Sequence, residues 1–459
     1  MNPSEWLVFN GVDAETGGYR FPPAPLVEVA ESIRRTTSTG GAHAADLAHR
    51  DQSDEAHLGV MAGFRPEDLA SVGWAIVVPE GLHADVLESL RPLRDLRREQ
   101  AGNLYRELVR RTNEDVDDWL DRHEMSPGPC DPRKIPYYVL LVGDPEAIPF
   151  EFQYQLDVDY AVGRICFETL AEYAAYAETV EKAESETPPT MHAHLFGPRN
   201  PADEATALSA ELLLTPLREE LAELLPASSV AADIGQSATQ STLIELLTGD
   251  RAPALLFTAS HGLATQGPDQ RARQGALVCQ EWPGPFRRGP VGEDCYVSGA
   301  HVAGTRIRTR IVMSFACYSA GTPAGIDDSA DNMHETSFVA GLPQCLLGTQ
   351  NGGALAFVGH VDRALGYSFM WTGVDPHITA MASTVVGLLG GSRVGSAMES
   401  LNSRYASIAT RLDRRLTELR GPARRQINDS TVTQLWAAAH DARNYVVIGD
   451  PAVRAIPPQ

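Results

Sequence analysis

The sequence predicts an α/β chain built on a mainly parallel sheet with helices on both faces. Three observations predict it. The apolar runs are short and nearly continuous, as strands buried on both faces require. They alternate with longer amphipathic stretches, as strand–helix–strand units do. No repeat of fixed period runs through the chain, so a solenoid or propeller is not indicated. With 459 residues, 43% of them hydrophobic, the chain is long enough to bury a large core, as two or three domains or one large unit.

In chain order, residues 1–72 read as an irregular N-terminal region, because glycines, prolines and polar runs at Thr36–Ala45 and His49–His57 break any long period. Gly73–Pro79 is the first strand expected. A charged helical stretch follows from about His83 to Arg111, with an interruption near Pro92. Tyr137–Gly143 and His192–Phe196 read as strands. Ala205–Leu225 reads as a helix that Pro216 should kink or split, and Thr239–Leu247 as a shorter one. Ala254–Ala259, Ile307–Phe315, Ala354–Val358 and Tyr445–Ile448 complete the set of strands.

Composition narrows the function. Lys and Arg number 38 against 60 Asp and Glu, a formal net charge of -22. Such a surface repels phosphate backbones, so no nucleic-acid partner is expected, and it suits basic partners or substrates. The six cysteines contain no C-x-x-C pair. His334-Glu335 lacks the second histidine of a zinc-protease helix, and no glycine-rich phosphate loop with lysine occurs, so no metal or cofactor is expected. No apolar run reaches the roughly 18 residues of a membrane span, and Met1–Asn10 does not read as a secretory leader. A soluble protein in a reducing cytoplasm is the expectation.

In open α/β sheets, chemistry gathers beyond the carboxyl ends of the strands. Two expected strands end there in reactive residues: Leu255-Leu-Phe-Thr-Ala-Ser-His261-Gly262 and Ile311-Val-Met-Ser-Phe-Ala-Cys317. A lone cysteine at a strand end usually packs, and a lone His-Gly is often a turn. Their conjunction, 56 residues apart and in this order, points to a catalytic pair. A thiol with a pKa of about 8.5 needs a nearby imidazole to act as thiolate near neutrality. Gly262 has no side chain, so its N–H, with that of Cys317, suits an oxyanion hole.

These blocks resemble the caspase-fold cysteine peptidases (clan CD), within them the gingipain-like and CHAT-domain branch. Ala259-Ser-His261-Gly262 and Phe315-Ala-Cys317 carry the resemblance. Tyr138–Asp144, Val162-Gly163-Arg164-Ile165, Gly352–Val358 and the closing Val447-Ile-Gly-Asp-Pro451 strengthen it. The resemblance covers about residues 135–455. It implies a caspase-like fold in two tandem subdomains, 73–190 non-catalytic and 191–459 catalytic, behind the region 1–72. It implies a cysteine endopeptidase that needs no cofactor, with a protein substrate exposing an Arg or Lys cleavage site and with a regulatory protein partner. A role in bacterial defence follows from the CHAT branch by analogy of fold.

Gingipain-like enzymes hold a basic P1 residue with an acidic side chain. Asp157-Val-Asp159-Tyr160, just before Gly163-Arg164, is similar to that pocket segment, with Asp157 in the matching place and Asp159 beside it. Asp362 and His360, in His360-Val-Asp362-Arg363, and Asp327, Asp328 and Asp331 stay open as alternatives. The Gln-Ala-Cys motif of true caspases is absent, so cleavage after aspartate is not implied. Two other functions also stay open: a non-catalytic binding or assembly module on the same fold, and a serine hydrolase using Ser319 with a later histidine such as His440.

Overall fold

The computed structural model describes residues 6–36, 59–126, 128–186, 190–226, 229–326, 333–334, 336–366, 369–370, 377–420 and 429–457. Its centre is a ten-stranded sheet. The strands in chain order are β1 (Trp74–Pro79), β2 (Tyr105–Arg110), β3 (Tyr138–Val142), β4 (Ala161–Ile165), β5 (Ala193–Gly197), β6 (Val230–Ile234), β7 (Leu255–Ala259), β8 (Ile311–Phe315), β9 (Ala356–His360) and β10 (Tyr445–Gly449). Across the sheet they lie in the order β2-β1-β3-β4-β10-β9-β8-β7-β5-β6.

Every pairing is parallel except one. β9 meets β10 antiparallel, from Ala356 opposite Gly449 to His360 opposite Tyr445. The sheet is therefore two parallel halves running in opposite directions. The carboxyl tips of β7, β8 and β9 share an edge with the amino ends of β10 and β4. In β3, β4, β5, β7, β8, β9 and β10 every residue is buried, so both faces of these strands are covered.

Two series of helices provide the cover. Arg91–Ala101 packs on Leu170–Ser185, which packs on Gly341–Gly348. Thr215–Leu224, Thr379–Leu389, Glu399–Arg420, Asp429–Arg443 and Leu26–Thr36 form the second series. Leu170–Ser185 starts at a capping box, in which Thr169 and Glu172 satisfy each other's backbone N–H groups. Among the described residues no helix is long and apolar enough to cross a membrane.

Four local expectations need correction. The charged helix stops at Ala101, where Gly102 takes φ +53, and Tyr105–Arg110 turns back as the edge strand β2. Parallel pairing with β1 along its whole length, from Trp74 opposite Tyr105 to Pro79 opposite Arg110, makes it a strand despite its charge. The helix through Pro216 is not split: Ser209–Leu214 widens into a π-helical turn and Thr215–Leu224 continues from it, with the proline in its first turn. The strand ending at Phe315 begins at Ile311, not Ile307. The N-terminal region is not irregular throughout. It contains the helix Leu26–Thr36, and its strand Gly11–Asp13 joins a second small sheet with Gly262–Ala264, Leu277–Val278 and Tyr296–Val297. The polar runs of that region lie almost wholly outside the described residues.

The glycine motifs that flank the resemblance serve packing. A Cβ on Gly163 would lie 2.2 Å from the carbonyl oxygen of Gly449, so β4 and β10 approach only because glycine stands there. Asp450, the next residue, is fully buried and ties the sheet to a helix. Its Oδ1 accepts the Trp74 indole N–H at 2.9 Å, and its Oδ2 accepts the Arg97 Nε–H at 2.7 Å.

Candidate active site

β7 and β8 are neighbours in register, with Ala259 opposite Phe315. The Ser260 N–H donates to the Phe315 carbonyl at 3.1 Å, carrying the pairing one residue beyond the strands. His261 and Cys317 thus leave adjacent strand tips at the same level. A Cβ on Gly262 would lie 1.8 Å from the Cys317 carbonyl oxygen and 3.0 Å from its nitrogen. The glycine is therefore required by the backbone of Cys317. Tyr318 follows at φ +57, a strained left-handed position, and its N–H donates to the Asp362 carbonyl at 2.9 Å.

The imidazole is held at Nε2. His261 Nε2 lies 2.9 Å from Asp203 Oδ2. Asp203 caps the helix Glu204–Leu208 by accepting the Thr206 N–H at 3.1 Å, and it also accepts the Thr206 and Tyr19 hydroxyls, the latter at 2.7 Å. Burial alone would raise this carboxyl. The charge of His261 and the hydrogen bonds from His261, Thr206 and Tyr19 outweigh it and hold the pKa at about 2. A permanent carboxylate fixes the proton on Nε2. Nδ1, buried and without a hydrogen-bond partner, is left as the basic nitrogen. The Trp282 ring stands edge-on to His261 at 5.1 Å, and the Tyr19 ring lies tilted at 6.0 Å. Together they confine the imidazole plane.

The thiol is enclosed. Cys317 Sγ accepts the Ala364 N–H at 3.2 Å, and burial pushes the thiol up to about 12, against a lowering by that N–H. Both Cys317 and His261 are 0% exposed. Part of the cover is the N-terminal segment. The Gly262 N–H donates to the Asn10 carbonyl at 3.3 Å, and the strand Gly11–Asp13 runs parallel to Gly262–Ala264.

The remaining sequence candidates are dispersed around this centre. His360, at the tip of β9, is fully buried, with Nε2 at 3.0 Å from Asp441 Oδ1 and its ring 4.0 Å from that of Tyr445. The carboxylate of Asp362 accepts the Arg363 N–H at 2.7 Å. Asp157 and Asp159 precede β4 and are buried at the same sheet edge as the strand tips. Asp157 Oδ1 accepts the Val162 N–H at 3.1 Å, and Asp159 Oδ2 accepts the Gly128 N–H at 3.4 Å. Burial raises the Asp157 carboxyl to about 7, with the Val162 N–H and Asn402 acting against it. Asp327, Asp328, Asp331 and Glu335 lie outside the described residues.

The serine hydrolase reading finds no support. Ser319 Oγ is buried and accepts the His360 N–H at 3.1 Å, while the His440 ring lies tilted against Trp436 at 4.3 Å and its Nδ1 meets Arg443 at 3.4 Å. Three features escaped the sequence reading: Asp203, Tyr19 and Asp441. Asp203 and Asp441 are fully buried carboxylates, and one oxygen of Asp441 has no partner. An Asp before a helix carries an N-cap signal, but its reach to a histidine 58 residues later leaves no trace in sequence.

No protein-family model and no curated protein sequence matches this chain. Solved structures do resemble it. One, described as "Structure of Protease", aligns with 84% of this chain and 79% of its own at 13% identity and a TM-score of 0.50. Another, "Complex of Porphyromonas gingivalis RgpB pro- and mature domains", aligns with 84% and 80% at 12% identity and a TM-score of 0.45. The likeness to the first is one of fold: the mainly parallel sheet with its covering helices is shared with a protease.

Proposed function

We propose that this chain is a cysteine endopeptidase with Cys317 as nucleophile and His261 as base. The observation that carries the proposal is the in-register emergence of both residues from β7 and β8, with His261 Nε2 held by Asp203 and Nδ1 left free. Cys317 gives its proton to His261 Nδ1, and the thiolate attacks the scissile carbonyl carbon. The N–H groups of Gly262 and Cys317 bind the oxyanion. His261 then protonates the leaving amine. Water hydrolyses the thioester with the same imidazole as base, which restores the thiol.

The substrate in this reading is a protein with an exposed Arg or Lys at P1. The acidity of the chain supports it, as do two buried carboxyls: Asp157, which accepts the Val162 N–H, and Asp441, which meets His360 Nε2 and accepts the Leu365 N–H. Asp157 is the residue the family resemblance selects. Asp441 bonds to the Leu365 N–H at 3.0 Å, one residue from the Ala364 N–H on the thiol. The six free cysteines suit a reducing compartment.

The test is proteolysis of a peptide library by wild type, Cys317→Ala and His261→Ala, with folding followed by circular dichroism. Cleavage after Arg or Lys that both substitutions abolish is the expected result. A folded wild type that cleaves nothing once its site is opened, and whose Cys317 shows no excess reactivity toward a thiol electrophile, would leave the non-catalytic binding module as the function.

A further inference from the structure

The N-terminal segment crosses the candidate cleft as an extended strand. Phe9 bridges Leu365 in antiparallel fashion. The Asn10 N–H donates to the Ala364 carbonyl at 3.2 Å, and the Asn10 carbonyl accepts the Gly262 N–H at 3.3 Å. Gly11–Asp13 then continues parallel to Gly262–Ala264. Ala364 and Gly262 are the two residues that flank the thiol: Ala364 N–H binds Sγ, and a Cβ on Gly262 would strike the Cys317 backbone. A Cβ on Gly11 would lie 3.6 Å from Sγ. Peptides bind by adding a strand to a free edge through main-chain hydrogen bonds, and this segment satisfies both walls of the cleft in that way.

We infer that residues 8–12 are a built-in plug, an intramolecular strand that occupies the peptide-binding cleft of Cys317 and must leave before any substrate enters. The inference deepens the endopeptidase reading and rests on it for its biological meaning. The plug resembles a bound peptide in its main chain only. Its carbonyl sits on the Gly262 oxyanion donor, but the side chain at that position is the neutral Asn10, buried with its Nδ2 unpartnered. A site selecting Arg or Lys gains nothing from it, so the strand holds the cleft without matching it.

The segment ends in a tight turn. Asp13 Oδ1 accepts the N–H groups of Glu15 at 3.2 Å and Thr16 at 2.9 Å, and Gly17 turns at φ +69. Tyr19, beyond this turn, donates to Asp203. The two arms of this turn are paired, with the Arg20 N–H donating to the Gly11 carbonyl and the Asp13 N–H to the Gly18 carbonyl, both at 2.9 Å, and with Val12 bridging Tyr19, so release of residues 8–12 opens this hairpin as well.

The experiment inserts a recognition sequence for an added glutamine-specific protease between Glu15 and Thr16, both exposed. The protein folds with the plug present and is then cut. Alkylation by iodoacetamide is followed at each cysteine by mass spectrometry. Cutting should speed the labelling of Cys317 by about tenfold or more and leave half-buried Cys345 unchanged, because access is limited by opening of the segment. A synthetic peptide of residues 6–16 should slow it again. Gly11→Glu, which places a charge beside Sγ and expels the strand without a cut, should label as the cut protein does. Equal labelling of Cys317 in the uncut, cut and Gly11→Glu proteins, all folded, overturns the plug. Uncut protein that hydrolyses Arg peptides as fast as cut protein also overturns it and leaves the peptidase standing. Fast labelling after cutting with no hydrolysis of any peptide does the reverse.

Discussion

His261 Nε2 meets Asp203 Oδ2 at 2.9 Å, in an environment where neither side chain reaches solvent. A histidine base has two nitrogens, and its usefulness depends on which one is occupied. Asp203 occupies Nε2, so only Nδ1 can face a thiol.

Asp203→Asn keeps the shape and reverses the preference, because an amide can donate to Nε2 and drive the proton to Nδ1. We expect kcat to fall by about 10³-fold or more with a smaller change in KM, as when the orienting acid of a triad is neutralised. The same carboxyl reports on stability. Its folded pKa of about 2 lies below the unfolded value near 3.9. Its contribution is therefore complete above about pH 4 and lost as pH falls through about 2, on the order of 2 kcal/mol. Acid unfolding followed by circular dichroism should be less steep in Asp203→Asn over that window. A variant with wild-type kcat would remove Asp203 from the positioning of His261.

Gly262→Ala tests the backbone and not the substrate. The added Cβ would lie 1.8 Å from the Cys317 carbonyl oxygen. Backbone cannot yield as a flexible side chain does, so the tips of β7 and β8 must separate. A loss of about 2–4 kcal/mol in unfolding free energy is expected, alongside loss of activity. Unchanged denaturant midpoints would show that the strand tips are more yielding than their packing implies.

The strands β7 and β8 were legible because each is an apolar run ending in a reactive residue, and their parallel pairing brings such ends together. Tyr105–Arg110 was not legible, because a charged edge strand carries little of the burial signal that marks its neighbours. Asp203 and Asp441 were not legible because their partners lie 58 and 81 residues away, and only the fold supplies the proximity. The N-terminal strand failed for a related reason: three residues of Gly-Val-Asp have no period of their own and become a strand only beside Gly262–Ala264. The closing Gly-Asp-Pro stood out in the sequence, yet its work is structural.

That work is measurable at Asp450. Its carboxylate accepts from Trp74, from Arg97 and from the Ala452 N–H at 3.0 Å, all within the core. Arg97 is fully buried and keeps a second contact with Glu184 at 2.7 Å. Asp450→Ala strands half of a buried charge cluster and the Trp74 donor. It should cost about 3–5 kcal/mol, read as a lower denaturant midpoint, with no specific effect on the chemistry of surviving folded protein. Asp450→Asn, which keeps the acceptor for Trp74, should cost less.

Asp157 carries the most direct link between burial and specificity. Burial raises its carboxyl to about 7, and the N–H of Val162 and the side chain of Asn402 only partly oppose the rise. Between about pH 3.9 and 7 the folded protein holds this proton while the unfolded chain has released it. The native state therefore binds more protons in that window, and its stability falls as pH rises, then levels above about 7. Asp157→Asn removes the fall. Relative to wild type it should gain stability above pH 7, by no more than about 4 kcal/mol, with little gain near pH 4. Function runs the other way. A P1 guanidinium is recognised only by the ionised carboxylate, so the ratio of kcat/KM for matched Arg and Leu peptides should rise through about pH 7. The ratio cancels the titration of Cys317 and His261, which both substrates share. In Asp157→Asn the ratio should lose its pH dependence and drop by about 2–5 kcal/mol of transition-state binding. A ratio that keeps its slope in Asp157→Asn but collapses in Asp441→Asn would move the pocket to Asp441, and a preference for Leu or Asp in wild type would end the basic-P1 proposal altogether.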